Sequence, residues 1–89
     1  MNFEQHCRAS ETAFGKRYER IHRWLDEFAS LYEPSERHKH RKFRHHKEGI
    51  EEAGIIFGDI GALVAEHHIK LDNEGKVPSK KDYEIPEYT

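Results

Sequence analysis

Apolar positions recur along the chain at helical spacing, and they divide it into four amphipathic stretches followed by a tail. Phe3, Cys7, Ser10 and Phe14 fall at i, i+4, i+7 and i+11, a single stripe that stops at Gly15. From Arg17 to Tyr32 the residues Tyr18, Ile21, Leu25, Phe28, Ala29 and Tyr32 make the clearest pattern, ended by Glu33-Pro34. Ser35 caps a third expected helix, long and basic, in which Phe43, Ile50 and Phe57 repeat every seven residues before Gly58. Asp59 is the expected N-cap of a fourth, with Ile60, Leu63, Val64, His67 and Leu71 on one face until Asn73-Glu74-Gly75 turns the chain. Beyond it, Pro78, the capping signal Ser79-Lys80-Lys81-Asp82 and Pro86 predict an extended tail over 73–89, packed on the body through Tyr83, Ile85 or Tyr88. Strict alternation is absent, so the expected fold is all-α: a compact bundle of about four helices with an extended C-terminal tail, one domain over 1–89.

Composition changes this picture in two respects. With 35% hydrophobic and 36% charged residues in 89, a single copy has a thin core, and a homo-oligomer is expected. No run reaches the length of a membrane span and the first residues lack a signal-peptide layout, so the expected location is the cytoplasm, away from membranes. The one cysteine, Cys7, excludes an intrachain disulfide and a paired-thiol zinc motif.

The net charge of −2 conceals segregation. Residues 37–47 carry six basic side chains, four histidines and no acid, while the remainder holds nine basic and seventeen acidic residues. Such a block attracts phosphate, and on one continuous helix Arg37, Arg41, Arg44 and His45 project together. Arginine forks there read an anion bidentately, making Arg41, Arg44, His45 and His40 the candidate ligand-binding set. The acidic remainder and a basic face without aromatics argue against a nucleic-acid groove.

Eight histidines are the second compositional signal. At about 100° per residue, His46 projects towards Phe43 and Ile50, and His45 to the opposite side. His22 lies on the inner face of the second helix with Asp26 one turn on, and His68 and Asp72 repeat the i, i+4 pairing on the fourth. Such a carboxylate orients an imidazole. With His6 bordering the first stripe, each helix offers an imidazole inward. The candidate metal set is His22, Asp26, His46, His68 and Asp72, suited to a divalent metal such as Zn. The bland alternative is a set of hydrogen-bonded core histidines. Phosphate loops, nucleophile elbows and dinucleotide fingerprints are absent.

The segments Ile21-His22-Arg23-Trp24-Leu25-Asp26, His40-Arg41-Lys42-Phe43-Arg44-His45-His46-Lys47-Glu48-Gly49-Ile50, Ile56-Phe57-Gly58, Ala65-Glu66-His67-His68-Ile69-Lys70-Leu71-Asp72 and Gly75-Lys76-Val77-Pro78-Ser79 resemble a family of small bacterial and phage proteins of unknown function. That family carries an Ile-His-x-Trp-x-Asp segment and an Arg-His-Arg-x-x-Arg-His-His-x-Glu-Gly-Ile core. Lys39 replaces the first arginine of the core, and an insertion before the Glu-x-His segment is missing. The resemblance favours His68 over His67 as the motif histidine and implies no activity.

Three functions remain open. The first is a binding protein for an anionic, phosphate-bearing, nucleotide-like small molecule, by analogy a phage-type sequestering protein. A small metal-dependent phosphohydrolase, with arginines clamping the phosphate, is the second. The third is a structural or interaction protein. If His46 is a ligand, its replacement by Ala removes the metal; if Arg44 is exposed, its replacement weakens anion binding without unfolding the protein.

Overall fold

A computed structural model describes residues 1–83 of the chain. Five α-helices lie among them, one more than the stripes predict: α1 (Phe3–Phe14), α2 (Glu19–Leu25), α3 (Arg41–Arg44), α4 (Lys47–Phe57) and α5 (Asp59–Asp72). Three 3-10 helices, Glu27–Leu31, Pro34–His40 and Lys80–Tyr83, complete the described chain, which contains no strand. No helix among the described residues is long and apolar enough to cross a membrane.

Helix α1 begins with a capping box. The Asn2 side chain accepts from the Gln5 N–H at 2.8 Å and the Gln5 side chain accepts from the Asn2 N–H at 2.9 Å. Its buried stripe is His6, Cys7 and Ser10, and Gly15 ends it in the left-handed conformation, φ 84°. Burial raises the Cys7 thiol pKa above its ordinary value. The second stretch is helical only to Leu25; at Asp26 the chain tightens into the 3-10 helix Glu27–Leu31.

The long third helix does not exist as one rod. It is a 3-10 helix, the short α3 and α4, separated at His45 (φ −86°, ψ 57°) and the extended His46 (φ −157°, ψ 176°). Two features enforce the break. The His46 Nδ1 accepts from the Gly49 N–H at 3.0 Å, so an imidazole caps α4 as an Asn or Ser would. Gly49 also packs so tightly that a Cβ there would stand 1.8 Å from the Arg44 carbonyl oxygen.

Helices α4 and α5 form a hairpin around Gly58, φ 83°. Asp59 is therefore the first residue of α5 rather than its cap. They pack tightly at Gly61, where a Cβ would lie 2.5 Å from the Ala53 carbonyl oxygen. The apolar core is Ile21, Leu25, Ala53, Val64 and Ala65, flanked by Trp24, Ile50 and Phe57. Leu71 and Leu63, expected on the buried face of α5, are exposed, as are Ile55 and Ile56 on α4.

The tail returns to the α3–α4 joint. The Lys47 N–H donates to the Pro78 carbonyl at 2.9 Å, the Lys80 N–H donates to the Glu48 carboxylate at 3.0 Å, and the Tyr83 hydroxyl donates to the His45 carbonyl at 3.0 Å. Ser79 precedes the last 3-10 helix, and its N–H donates to the carboxylate of Asp82 within it at 2.9 Å. Ile85, Pro86 and Tyr88 lie outside the described residues.

Candidate metal centre

Five elements deliver one or two polar groups each to a shared interior cluster. Helix α1 contributes His6 and Ser10, one turn apart on its buried stripe. Helix α2 brings His22 and, at its end, Asp26, while α5 brings His68 and Asp72. The 3-10 helix Pro34–His40 delivers His40, and the end of α3 delivers His45. His6, His22, His45 and His68 are fully buried.

The contacts form a chain of imidazoles and carboxylates. Ser10 Oγ lies 2.6 Å from His22 Nε2, and His22 Nδ1 faces His68 Nδ1 at 2.8 Å, so one of those two nitrogens donates. The rings of His6 and His68 stack at 3.6 Å. His6 Nε2 is 3.1 Å from Asp72 Oδ2, whose other oxygen accepts from the Met1 amino group at 3.1 Å. His40 Nε2 and His45 Nε2 approach Asp26 Oδ1 at 2.9 and 3.1 Å. His68 Nε2 stands between the two acids, 3.5 Å from Asp26 Oδ1 and 3.6 Å from Asp72 Oδ2, and makes no hydrogen bond.

The electrostatics follow from burial and these partners. Burial favours a protonated Asp26, but hydrogen bonds from His40 and His45, with the His68 imidazole close by, outweigh it and hold the carboxyl far below the ordinary range. Asp72 is likewise held well below it, the His6 contact outweighing burial. Burial, reinforced by the neighbouring imidazoles, pushes His22 down to about 4. His68 is pushed down to about 4 by burial, against the pull of Asp26. His40 moves the other way: burial is overcome by Asp26 and by the Arg37 carbonyl, which accepts from its Nδ1. With Nδ1–H committed to a carbonyl, the His40 Nε2 that meets a carboxylate must carry a second proton or share a cation with it.

Such a set is suited to a cation. His6, His22 and His68 each bring a ligand atom within 4.8 Å of the others, and so do Asp26, His45 and His68. Ligand atoms around a tetrahedral zinc at about 2.0–2.1 Å stand about 3.4 Å apart. The separations of 3.5 and 3.6 Å from His68 Nε2 to the two acids are of that size, and long for hydrogen bonds. Two ionised carboxylates also supply the charge that a divalent ion requires.

Of the candidate metal residues, His22, Asp26, His68 and Asp72 come together. Of the two i, i+4 partnerships, His68 and Asp72 do meet, at 3.6 Å, whereas His22 and Asp26 do not: the His22 ring nitrogens go to Ser10 and His68, and Asp26 serves three other histidines. His46 is elsewhere. Its Nδ1 accepts from Gly49, and its Nε2–H donates to the Lys42 carbonyl at 3.1 Å. Neither nitrogen retains a lone pair for a metal, so the expectation that His46 is a ligand is corrected.

The candidate anion set divides too. His45 points inward, not outward, because the chain breaks beside it; its Nε2–H is also 3.1 Å from the Leu25 carbonyl. Arg44 is not a free fork. Its Nη1 donates to the Trp24 carbonyl at 2.6 Å and to Glu27 at 2.9 Å, and its guanidinium stacks on Trp24 at 4.2 Å and Phe28 at 4.8 Å. Arg41 and His40 do share a cleft of about 560 Å³ with Arg37, His38, Asp26 and Asp72. His67 packs edge-on to Phe14 at 5.3 Å, outside the cluster.

Sequence reasoning left His6 and Ser10 out of the site. The signal was present in the first stripe: Ser10 is a polar residue on a buried face, which calls for a buried partner. No curated protein and no solved structure matches the chain. A family model matches residues 1–86, and the chain belongs to the family described as a domain of unknown function, DUF6915.

Proposed function

We propose that the protein binds a divalent transition metal, zinc being the first expectation, among His6, His22, His68, His45, Asp26 and Asp72. The observation that carries this reading is His68 Nε2, fully buried, without a hydrogen bond, and standing 3.5 and 3.6 Å from two carboxylate oxygens. His6 and His45 in the cluster, and His67 outside it, also each keep one buried ring nitrogen without a partner, whereas His46 satisfies both of its own. His68 Nε2 differs in standing between two carboxylates. Native mass spectrometry of protein purified without a His tag or chelator tests the reading. Wild type is expected to carry a stoichiometric metal mass, His68→Ala to lose it and His46→Ala to keep it. Wild type that stays metal-free in the presence of zinc overturns the reading and leaves a hydrogen-bonded structural core.

The anionic-ligand reading takes a narrower form. Arg44 and His45 are engaged inside the protein, and its support is now the cleft bearing Arg37, Arg41 and His40. Self-association is a further proposal, supported by exposed Ile55, Ile56 and Leu63 on the α4–α5 hairpin.

A further inference from the structure

We infer that the cleft beside the cluster takes a small phosphate-bearing molecule, one phosphate oxygen on the metal and the others on Arg41 and Arg37. This rests on the metal reading. The cleft volume of about 560 Å³ falls in the small-molecule range, and its walls combine both acids of the cluster, His40 and the two arginines. Asp26 is a member of the candidate triad with His45 and His68, and also lines the cleft, so a ligand entering there meets one residue of the metal site directly.

The chemistry of the wall selects the ligand class. Bare, the cleft offers an anion little net attraction, because Asp26, Glu27 and Asp72 line it together with Arg37, Arg41 and the Met1 amino group. A bound divalent ion adds positive charge beside Asp26 and Asp72 and tips the cleft towards an anion. Arg41 carries a second, independent sign of a missing partner: its Nε is buried and has no hydrogen bond. Arg37 lies four residues before it, in the 3-10 helix Pro34–His40, and is exposed. Two planar forks and a metal match the three terminal oxygens of a phosphate monoester better than the two of a carboxylate. Nucleic acid is a poor fit, because Glu27 also lines the cleft and Glu33 and Glu36 are exposed on the same connection.

Calorimetric titration of inorganic phosphate into zinc-loaded and zinc-free protein tests this. Phosphate is expected to bind the loaded protein, to bind the zinc-free protein at least tenfold more weakly, and to lose tenfold or more of its affinity in loaded Arg41→Ala with zinc content unchanged. Loaded protein that ignores phosphate overturns this inference and leaves the metal site standing. Protein that takes up no zinc overturns both. Equal affinity with and without zinc removes the metal from the phosphate site and overturns the inference as stated. If Arg41→Ala does not fold, the exposed Arg37→Ala decides: a severalfold weaker affinity supports the clamp, and wild-type affinity overturns it.

Discussion

Helices α2 and α5 each contribute to two interiors of opposite character. Ile21 and Leu25 enter the aliphatic core, whereas their immediate neighbours His22 and Asp26 enter the imidazole cluster. On α5, Val64 is aliphatic core and His68 and Asp72, one and two turns later, are cluster. The two interiors are equally dry at their centres: Val64 and Ala65 on one side, His22 and His68 on the other, have no exposed surface. What differs is the source of stability. The aliphatic side gains from removing apolar surface from water, about 1.5–3 kcal/mol for a Leu or Ile side chain. The imidazole side gains a net 0.5–1.5 kcal/mol or so per hydrogen bond, against the cost of burying polar atoms. One side should therefore be indifferent to pH and metal, and the other should respond to both.

Gly49→Ala should strike both interiors and have the largest effect. It sits at the joint between His45, which serves the cluster, and Ile50, which packs on the aliphatic core. Its added Cβ meets backbone at 1.8 Å, so the α3–α4 joint has to open. A loss of about 3–5 kcal/mol in urea denaturation is expected. Leu25→Ala should come next, at about 3 kcal/mol. It should leave the dependence of stability on pH unchanged, and a changed pH slope would show that the two interiors are coupled.

The pH response itself is the third test. His22 and His68, held near 4 in the fold, return to the ordinary value of 6.5 when unfolded. Between those values the unfolded chain binds protons that the fold excludes, so metal-free protein should lose stability as pH falls from 6.5 to 4. Asp26 and Asp72, depressed in the fold, extend the loss below their unfolded values of about 3.9. His40 acts in the opposite sense, contributing most at low pH and losing that contribution as pH rises through its elevated value. The net change over 6.5 to 4 should be a loss of several kcal/mol, less what His40 returns, read from urea midpoints at fixed ionic strength. A flat profile would show that the cluster is hydrated. His46→Ala should do least, about 1 kcal/mol for a lost helix cap, with the pH slope and metal content of wild type.

How legible these two interiors were in the sequence depends on the element. The α1 stripe at Cys7 and Ser10, and the aliphatic residues Ile21, Leu25 and Val64, follow from spacing because apolar burial leaves a periodic trace; the rest of the α5 stripe does not, since Leu63 and Leu71 are exposed. The His68 and Asp72 pairing was legible for the same reason. The α3–α4 break was not, since a histidine cap resembles a histidine anywhere, and Gly49 resembles a tolerated helix glycine until the Arg44 carbonyl beside it is known. Missing that break rotated everything before it. His45 was sent outward and His46 inward, the reverse of what the structure holds, and Arg44 was read as free when Trp24 and Phe28 were waiting for it. The convergence of His6, His40 and His45 on residues 14 to 66 positions away has no local signature.

Cys7 supplies a clock for these events. It lies between His6 and the rest of the buried stripe of α1, with no exposed surface and a thiol that burial keeps protonated. The thiolate is the form that alkylating reagents attack, so iodoacetamide can modify this residue only in molecules whose first helix has lifted away. Its labelling rate thus counts the openings of the imidazole side in an unmodified chain, without a dye or a tag. Zinc, by tying α1 to α2 and α5, should slow that count.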